Sequence, residues 1–196
     1  MDFINKDDLD SINDDIESID LDSGKLTAYI KKPENVEPDI LLQISDLING
    51  FSHFTDDVSD LQVGPSIVDK VSESFAVAYV LEGASVVACA IIQDPTKENY
   101  KGIIPQNYYE LESGYSLEGM LQQEYFVIKT GYEGKGIAGT LRSELLKIAP
   151  SMFIVVHKVD TKTTTGLVSN GYTHIADFET DWEKQTMSLY ILKGNQ

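Results

Sequence analysis

Along residues 25–32, "KLTAYIKK", Leu26, Ala28 and Ile30 alternate with Thr27, Tyr29 and Lys31. That is the pattern of a strand with one buried face. Pro33 and Pro38 bound a loop, after which 39–51, "DILLQISDLINGF", carries apolar residues at helical spacing. Asp39 is placed to cap that helix and Gly50 stands near its end. A short second helix is expected over 66–74, started by Pro65-Ser66. Residues 75–94 divide at Glu82-Gly83 into the two strands of a hairpin. A strand at 124–129, "EYFVIK", leads through a glycine-rich stretch to a helix over 137–148, with Ile137, Leu141, Leu145 and Ile148 on one face. The run 152–159, "MFIVVHKV", is almost continuously apolar, as in a strand covered on both sides. A short helix in 161–172 closes at Asn170-Gly171, and strands at 172–180 and 185–193 end the pattern.

Two segments lack this regularity. Residues 1–22 hold nine acids and one lysine, yet Leu9, Ile12, Ile16 and Ile19 recur at three- and four-residue spacing. They read as an acidic arm, helical or disordered, ahead of a domain spanning 23–196. Residues 95–123 form a long tyrosine-bearing connection without a clean period, the kind that serves as a binding loop or lid. The element order predicts a mixed α/β architecture, with the strands either side of the 137–148 helix as parallel neighbours.

Composition changes this picture in one respect. The chain of 196 residues has 32 acids against 15 Lys and Arg, a net charge of −17. Such a surface repels phosphate backbones and anionic membranes, so neither nucleic acid nor membrane is an expected partner. Cationic molecules are attracted. Cys89 is the one cysteine, so no internal disulfide forms, and its apolar setting suits an inert thiol. His53, His157 and His174 lack metal-ligand spacing, and no metal is expected. The start lacks a signal-peptide pattern, and no apolar run is long enough to span a bilayer. A cytoplasmic protein fits these features, which leave its state, monomer or homodimer, open.

The stretch "VIKTGYEGKGIAGTL" carries the chemistry. Gly131, Gly134, Gly136 and Gly139 fall within nine residues, between a strand and a helix whose first amides have no internal partners. Such a loop suits phosphate. It is neither a Walker A motif nor a dinucleotide fingerprint. It resembles the coenzyme A loop of the GNAT acetyltransferase superfamily, V-x-P-x-Y-R-G-x-G-[IV]-[GA]-x-x-L, at Ile128, Tyr132, Gly134, Gly136, Ile137, Ala138 and Leu141. The element order over 25–193 and the Gly171-Tyr172 pair, where the family has Gly-Phe, resemble it too.

The resemblance implies a GNAT-like fold: a central, mostly antiparallel mixed sheet flanked by helices, with a splayed parallel strand pair. It implies acetyl-CoA as acyl donor, with pyrophosphate on the amides of Tyr132, Glu133, Gly134, Lys135, Gly136, Ile137 and Ala138. The pantetheine arm would follow the backbone of Phe126, Val127 and Ile128. Acetyl transfer to a primary amine would proceed by direct attack, the acceptor being cationic: a polyamine, an amino sugar or a protein lysine. Glu124 occupies the position of the family's base, with His157 a second candidate. The usual acid tyrosine is replaced by Leu167, leaving Ser169 and Tyr172 as acid candidates, with Thr165, Tyr115 and Tyr125 behind them. The customary Asn is Asp160, and Glu133 stands where the family has Arg or Gln. The alternative is a non-catalytic protein on the same fold, its acidic surface docking a basic partner or mimicking nucleic acid.

Overall fold

A computed structural model describes residues 16–21, 25–52, 67–95, 117, 119–179 and 186–194, with no side-chain description at 16–21 and 51–52. The chain divides into two units. One comprises Asn13–Gln93 and Tyr125–Leu145, the other Asp94–Glu124 and Leu146–Gln196. In the first, strands β1 (Ile16–Leu21), β2 (Leu26–Lys31), β3 (Ala76–Glu82) and β4 (Ser85–Gln93) pair antiparallel in sequence order. The second half of β5 (Leu121–Ile128) lies next to β4. Around these strands the chain forms a 3-10 turn, Pro33–Asn35, and helices α1 (Pro38–Ser52), α2 (Ile67–Ser72) and α3 (Ile137–Ile148).

Packing explains the elements. Ile44 and Ile48, one turn apart on α1, are completely buried against Val77 and Tyr79 of β3, with Val71 of α2 alongside. Each such side chain contributes about 1.5–3 kcal/mol by leaving water. Leu42, on the other side of α1, remains exposed. The helix begins at Pro38, and the amides of Ile40 and Leu41 donate to the Glu37 carbonyl. Asp39 therefore sits inside the first turn rather than at the cap expected for it, because proline is preorganised for the first helical position. Strands β3 and β4 are buried almost throughout, which matches their unbroken Val, Ala and Ile runs. On α3 the buried face is Ile137, Leu141, Glu144 and Leu145, while Ile148 is only half-buried.

In the second unit the first half of β5 runs parallel to β6 (Ser151–His157), with Leu121 opposite Met152 and Gln122 opposite Phe153. The ladder covers only these two pairs, as a splayed pair requires. Strand β6 pairs antiparallel with β8 (Thr186–Lys193), and β8 with β7 (Thr173–Glu179). Helix α4 (Thr161–Ser169) precedes β7. Phe153, Phe178, Leu189 and Ile191 form the core of this unit with Leu117 and Met120. The architecture is mixed α/β, mostly antiparallel, with one parallel pair.

Two expectations change. The arm foreseen at 1–22 as helical or disordered is a strand over Ile16–Leu21, paired antiparallel with β2. A short acidic helix is marginal alone, whereas the edge of β2 supplies backbone partners. The rest of the arm lies outside the described residues. So does most of the 95–123 connection, whose last residues belong to β5, since that strand starts at Leu121 rather than 124.

Candidate functional site

In the first unit, β5 runs into the loop 129–136. The Lys129 amide donates to the Val87 carbonyl at 2.9 Å, anchoring the loop to β4, and the Tyr132 amide turns back to the Lys129 carbonyl at 3.0 Å. Gly134 and Gly136 have φ of 76° and 80°, a region that costs other residues strain. A Cβ at either would meet nothing within 4 Å. The backbone conformation demands glycine here, and among the described residues no atom crowds either position.

Helix α3 follows at once. Its first bond runs from the Thr140 amide to the Gly136 carbonyl, 3.1 Å. The amides of Ile137, Ala138 and Gly139 precede it and have no acceptor within the helix. They stand at its positive end. Loop and helix start therefore supply a set of backbone donors at the positive end of a helix, the arrangement that suits an anion.

Side chains modify this cradle. The Glu133 carboxylate accepts from the Gly131 amide at 2.7 Å, so an anion of the chain itself already takes one donor. The Tyr132 hydroxyl donates to Glu82 Oε2 at 2.6 Å. That bond to the carboxylate, with some desolvation and the nearby negative charge, raises the phenol pKa. The Lys135 ammonium lies 4.9 Å from the Tyr132 ring centre. Upstream on β5, Val127 is buried while Phe126 and Ile128 are half-buried. Burial pushes the Cys89 thiol up to about 12, with only a partial opposing effect from a hydrogen bond with the Val127 backbone.

The sequence reading missed a cluster at the other end of β4. The Gln93 side chain is fully buried and donates through Nε2 to the Lys70 carbonyl at 2.9 Å. Lys70 Nζ reaches the Tyr125 hydroxyl at 3.5 Å and lies 5.8 Å from its ring centre. A polar residue ending the apolar run of residues 86–92 was the available signal.

In the second unit, Glu124 is half-buried, with Oε2 shielded from solvent. Tyr172 and Gln123 are both buried, and the Tyr172 hydroxyl donates to Gln123 Oε1 at 2.7 Å. The Ser169 hydroxyl donates back to its own helix, to the carbonyls of Thr165 (2.9 Å) and Gly166 (3.1 Å). Leu167 is buried. Asp160 caps α4 through an oxygen that accepts from the Thr163 amide at 3.0 Å. Aspartate and asparagine are equally good caps, so this departure from the family pattern is chemically small. Partial burial pushes the Asp160 carboxyl up, but the hydrogen bonds from Thr163 outweigh it and hold it below its ordinary value. His157, the second base candidate, ends β6 exposed. On β7, Asp177 accepts from Lys158 at 2.7 Å, Ser188 at 2.6 Å and His174 at 2.8 Å. Lys158 first, then Ser188, hold its carboxyl far below the usual range.

Among the described residues no group of three His, Cys, Asp or Glu could hold a metal, and no helix is long and apolar enough to cross a membrane.

Solved structures share this arrangement over most of the chain. An N-acetyltransferase from Staphylococcus aureus Mu50 is 14% identical, covering 83% of this chain and 99% of that one at a TM-score of 0.58. A GNAT family acetyltransferase from Listeria monocytogenes 4b F2365 is 12% identical, covering 90% and 99%, TM-score 0.55. Another from Bacillus cereus ATCC 10987 is 13% identical, covering 86% and 99%, TM-score 0.54. The chain has the GNAT fold. At these identities the likeness establishes architecture alone. No protein-family model matches the chain, and no curated protein matches it in sequence. On the GNAT fold, β5, the glycine loop and α3 form the strand–loop–helix that the sequence pattern foresaw.

Proposed function

We propose that this chain transfers an acetyl group from acetyl-CoA to a primary amine. The observation carrying the reading is the loop at 129–136: Gly134 and Gly136, two of its three left-handed glycines, lead directly into helix amides that lack an acceptor within the helix, on a fold whose solved examples include acetyltransferases. In this reading the amides from Glu133 to Ala138 hold the pyrophosphate, that of Tyr132 being taken by the Lys129 carbonyl, and the backbone of Phe126, Val127 and Ile128 aligns the pantetheine arm. Glu124 is the base that takes a proton from the attacking amine, so that a neutral nitrogen meets the thioester carbonyl.

Acid assistance is secondary. Ser169 and Tyr172 both direct their hydroxyls to other acceptors. A thiolate leaving group titrates in the alkyl thiol range, about 8.5, and departs without prior protonation, solvent supplying the proton afterwards. This accommodates Leu167 at the acid position. The net charge of −17 favours a cationic acceptor in the cytoplasm.

A second reading is favoured by Glu133, whose carboxylate occupies a loop amide. In it the protein keeps the GNAT fold without turnover and uses its acidic surface to bind a basic partner. Thiol release from acetyl-CoA across a panel of polyamines, amino sugars and lysine peptides separates the two. Amine-dependent release that Glu124→Gln reduces at least about a hundredfold is expected for general-base catalysis. Absence of release with every amine, in protein that still binds CoA, favours the second reading.

A further inference from the structure

The first unit contains a cavity that none of the residues above explains. Its volume is about 420 Å3, and it lies between the start of α1 and the β2–β3 face. The Tyr29 and Tyr79 rings at its base stack with centroids 5.1 Å apart and planes inclined by 19°. Glu37 and Asp39 stand at the rim, both exposed. Gln43 fixes the wall: its Nε2 donates to the Ala84 carbonyl at 3.2 Å, and its Oε1 accepts from the Val86 amide at 3.0 Å. These two bonds pin α1 to the β3–β4 hairpin, so the cavity is shaped before any ligand arrives.

The charges lining the cavity are those of a cation site. Lys31 already places its ammonium 5.7 Å from the Tyr29 ring centre and 3.9 Å from Glu37 Oε1. This side chain, only 14% exposed, shows that ring and carboxylate together accept an ammonium. Among the described lining residues Lys31 is the one cation beside two carboxylates, Glu37 and Asp39, so their summed charge is negative. The positive end of α1 opposes a cation, but Asp39 in the first turn offsets it. An anion would meet Glu37 and Asp39 together, and a neutral ligand would leave their field unused.

We propose that this cavity binds a small organic cation, a primary ammonium on a short aliphatic body. Its ammonium sets against Asp39 and Glu37, and its aliphatic part against Tyr29. The site belongs to the hairpin and α1, not to the glycine loop, so it stands whether or not the chain binds acetyl-CoA.

Calorimetric titration of the full chain with 1,4-diaminobutane at low salt, with 1,4-butanediol as the neutral counterpart, tests this directly. Saturable one-to-one binding of the diamine is expected, weakened about fivefold by Asp39→Asn and similarly by Glu37→Gln, the loss of one exposed ion pair. Asp46→Asn, an exposed carboxylate elsewhere on α1, should leave binding unchanged. Both cavity substitutions are at exposed positions, and a circular dichroism melt confirms that the variants fold. Absence of saturable binding, equal binding of the diol, or equal weakening by Asp46→Asn would overturn the proposal. The last result would mean diffuse attraction to an acidic surface.

Discussion

Two turns of this molecule use a left-handed glycine for opposite ends. At 170–172, Gly171 with φ of 88° closes helix α4. The Gly171 amide donates to the Val168 carbonyl at 3.0 Å and the Tyr172 amide to the Leu167 carbonyl at 3.1 Å, a Schellman closure. Asp160 satisfies the other end of the same helix, and the Tyr172 hydroxyl is paired with Gln123. At 129–136, Gly134 and Gly136 have the same kind of φ, yet they precede a helix whose first amides have no acceptor within it. A positive φ does not distinguish a structural turn from a binding loop. The fate of the neighbouring polar groups does.

The largest effect expected from this contrast is at the closed turn. Tyr172→Phe keeps the buried ring but leaves Gln123 Oε1 without its donor, at a cost of about 1–3 kcal/mol. Chemical denaturation should show that loss with an unchanged m-value. A near-zero change would mean that water replaces the hydroxyl. Next is the open loop: Gly136→Ala forces a Cβ into the left-handed region and should cost about 1–2 kcal/mol. Because nothing crowds that Cβ, the strain should appear mainly as a lower affinity for CoA, about tenfold or more, the loop relaxing away from its binding shape. Gly171→Ala should instead lower global stability and leave CoA affinity untouched.

Glu133→Gln sharpens the contrast from the other side. It removes the anion seated on the Gly131 amide, and CoA should bind a few times more tightly, about 1 kcal/mol at most for an exposed charge. Weaker binding would show that the carboxylate organises the loop rather than competing for it.

The smallest effect concerns pH. Asp160 and Asp177 both have carboxyl pKa values below the ordinary range in the folded state. Stability from them is complete above the usual unfolded carboxylate value of about 3.9 and declines as pH falls through that value towards the folded ones. Melting temperature should therefore drop below about pH 4, and Asp177→Asn should flatten the drop. A curve unchanged by Asp177→Asn would remove the Lys158–Asp177–Ser188–His174 cluster from the account.

Much of the fold was legible because its signals are local. The Val, Ile and Ala runs of β3, β4 and β6 marked the strands, the 137–148 stripe marked α3, and Asn170-Gly171 marked the end of α4. Strand β1 was hidden because its acids interrupt the apolar alternation, while isoleucines at three- and four-residue spacing imitate a helix. Asp39 was misplaced by one feature that was itself in the sequence, Pro38. At the site, the glycines and Glu133 were visible as residues, but the fold-back of Glu133 onto Gly131 depends on loop geometry that no spacing encodes. The Tyr172–Gln123 bond joins positions 49 residues apart and was invisible for the same reason. The cavity beside Tyr29 arises from the packing of α1 onto two strands, and no motif announces it.

One measurement tests the central claim, that the 129–136 loop is an open anion cradle and not a turn. Thermal unfolding is followed with and without CoA, for the natural chain and for Gly136→Ala. The expected result is a stabilisation of about 2.7 kcal/mol at a hundred times the dissociation constant, falling to about 1.4 kcal/mol or less in Gly136→Ala at the same CoA concentration. An unchanged melting temperature of the natural chain at millimolar CoA would contradict it.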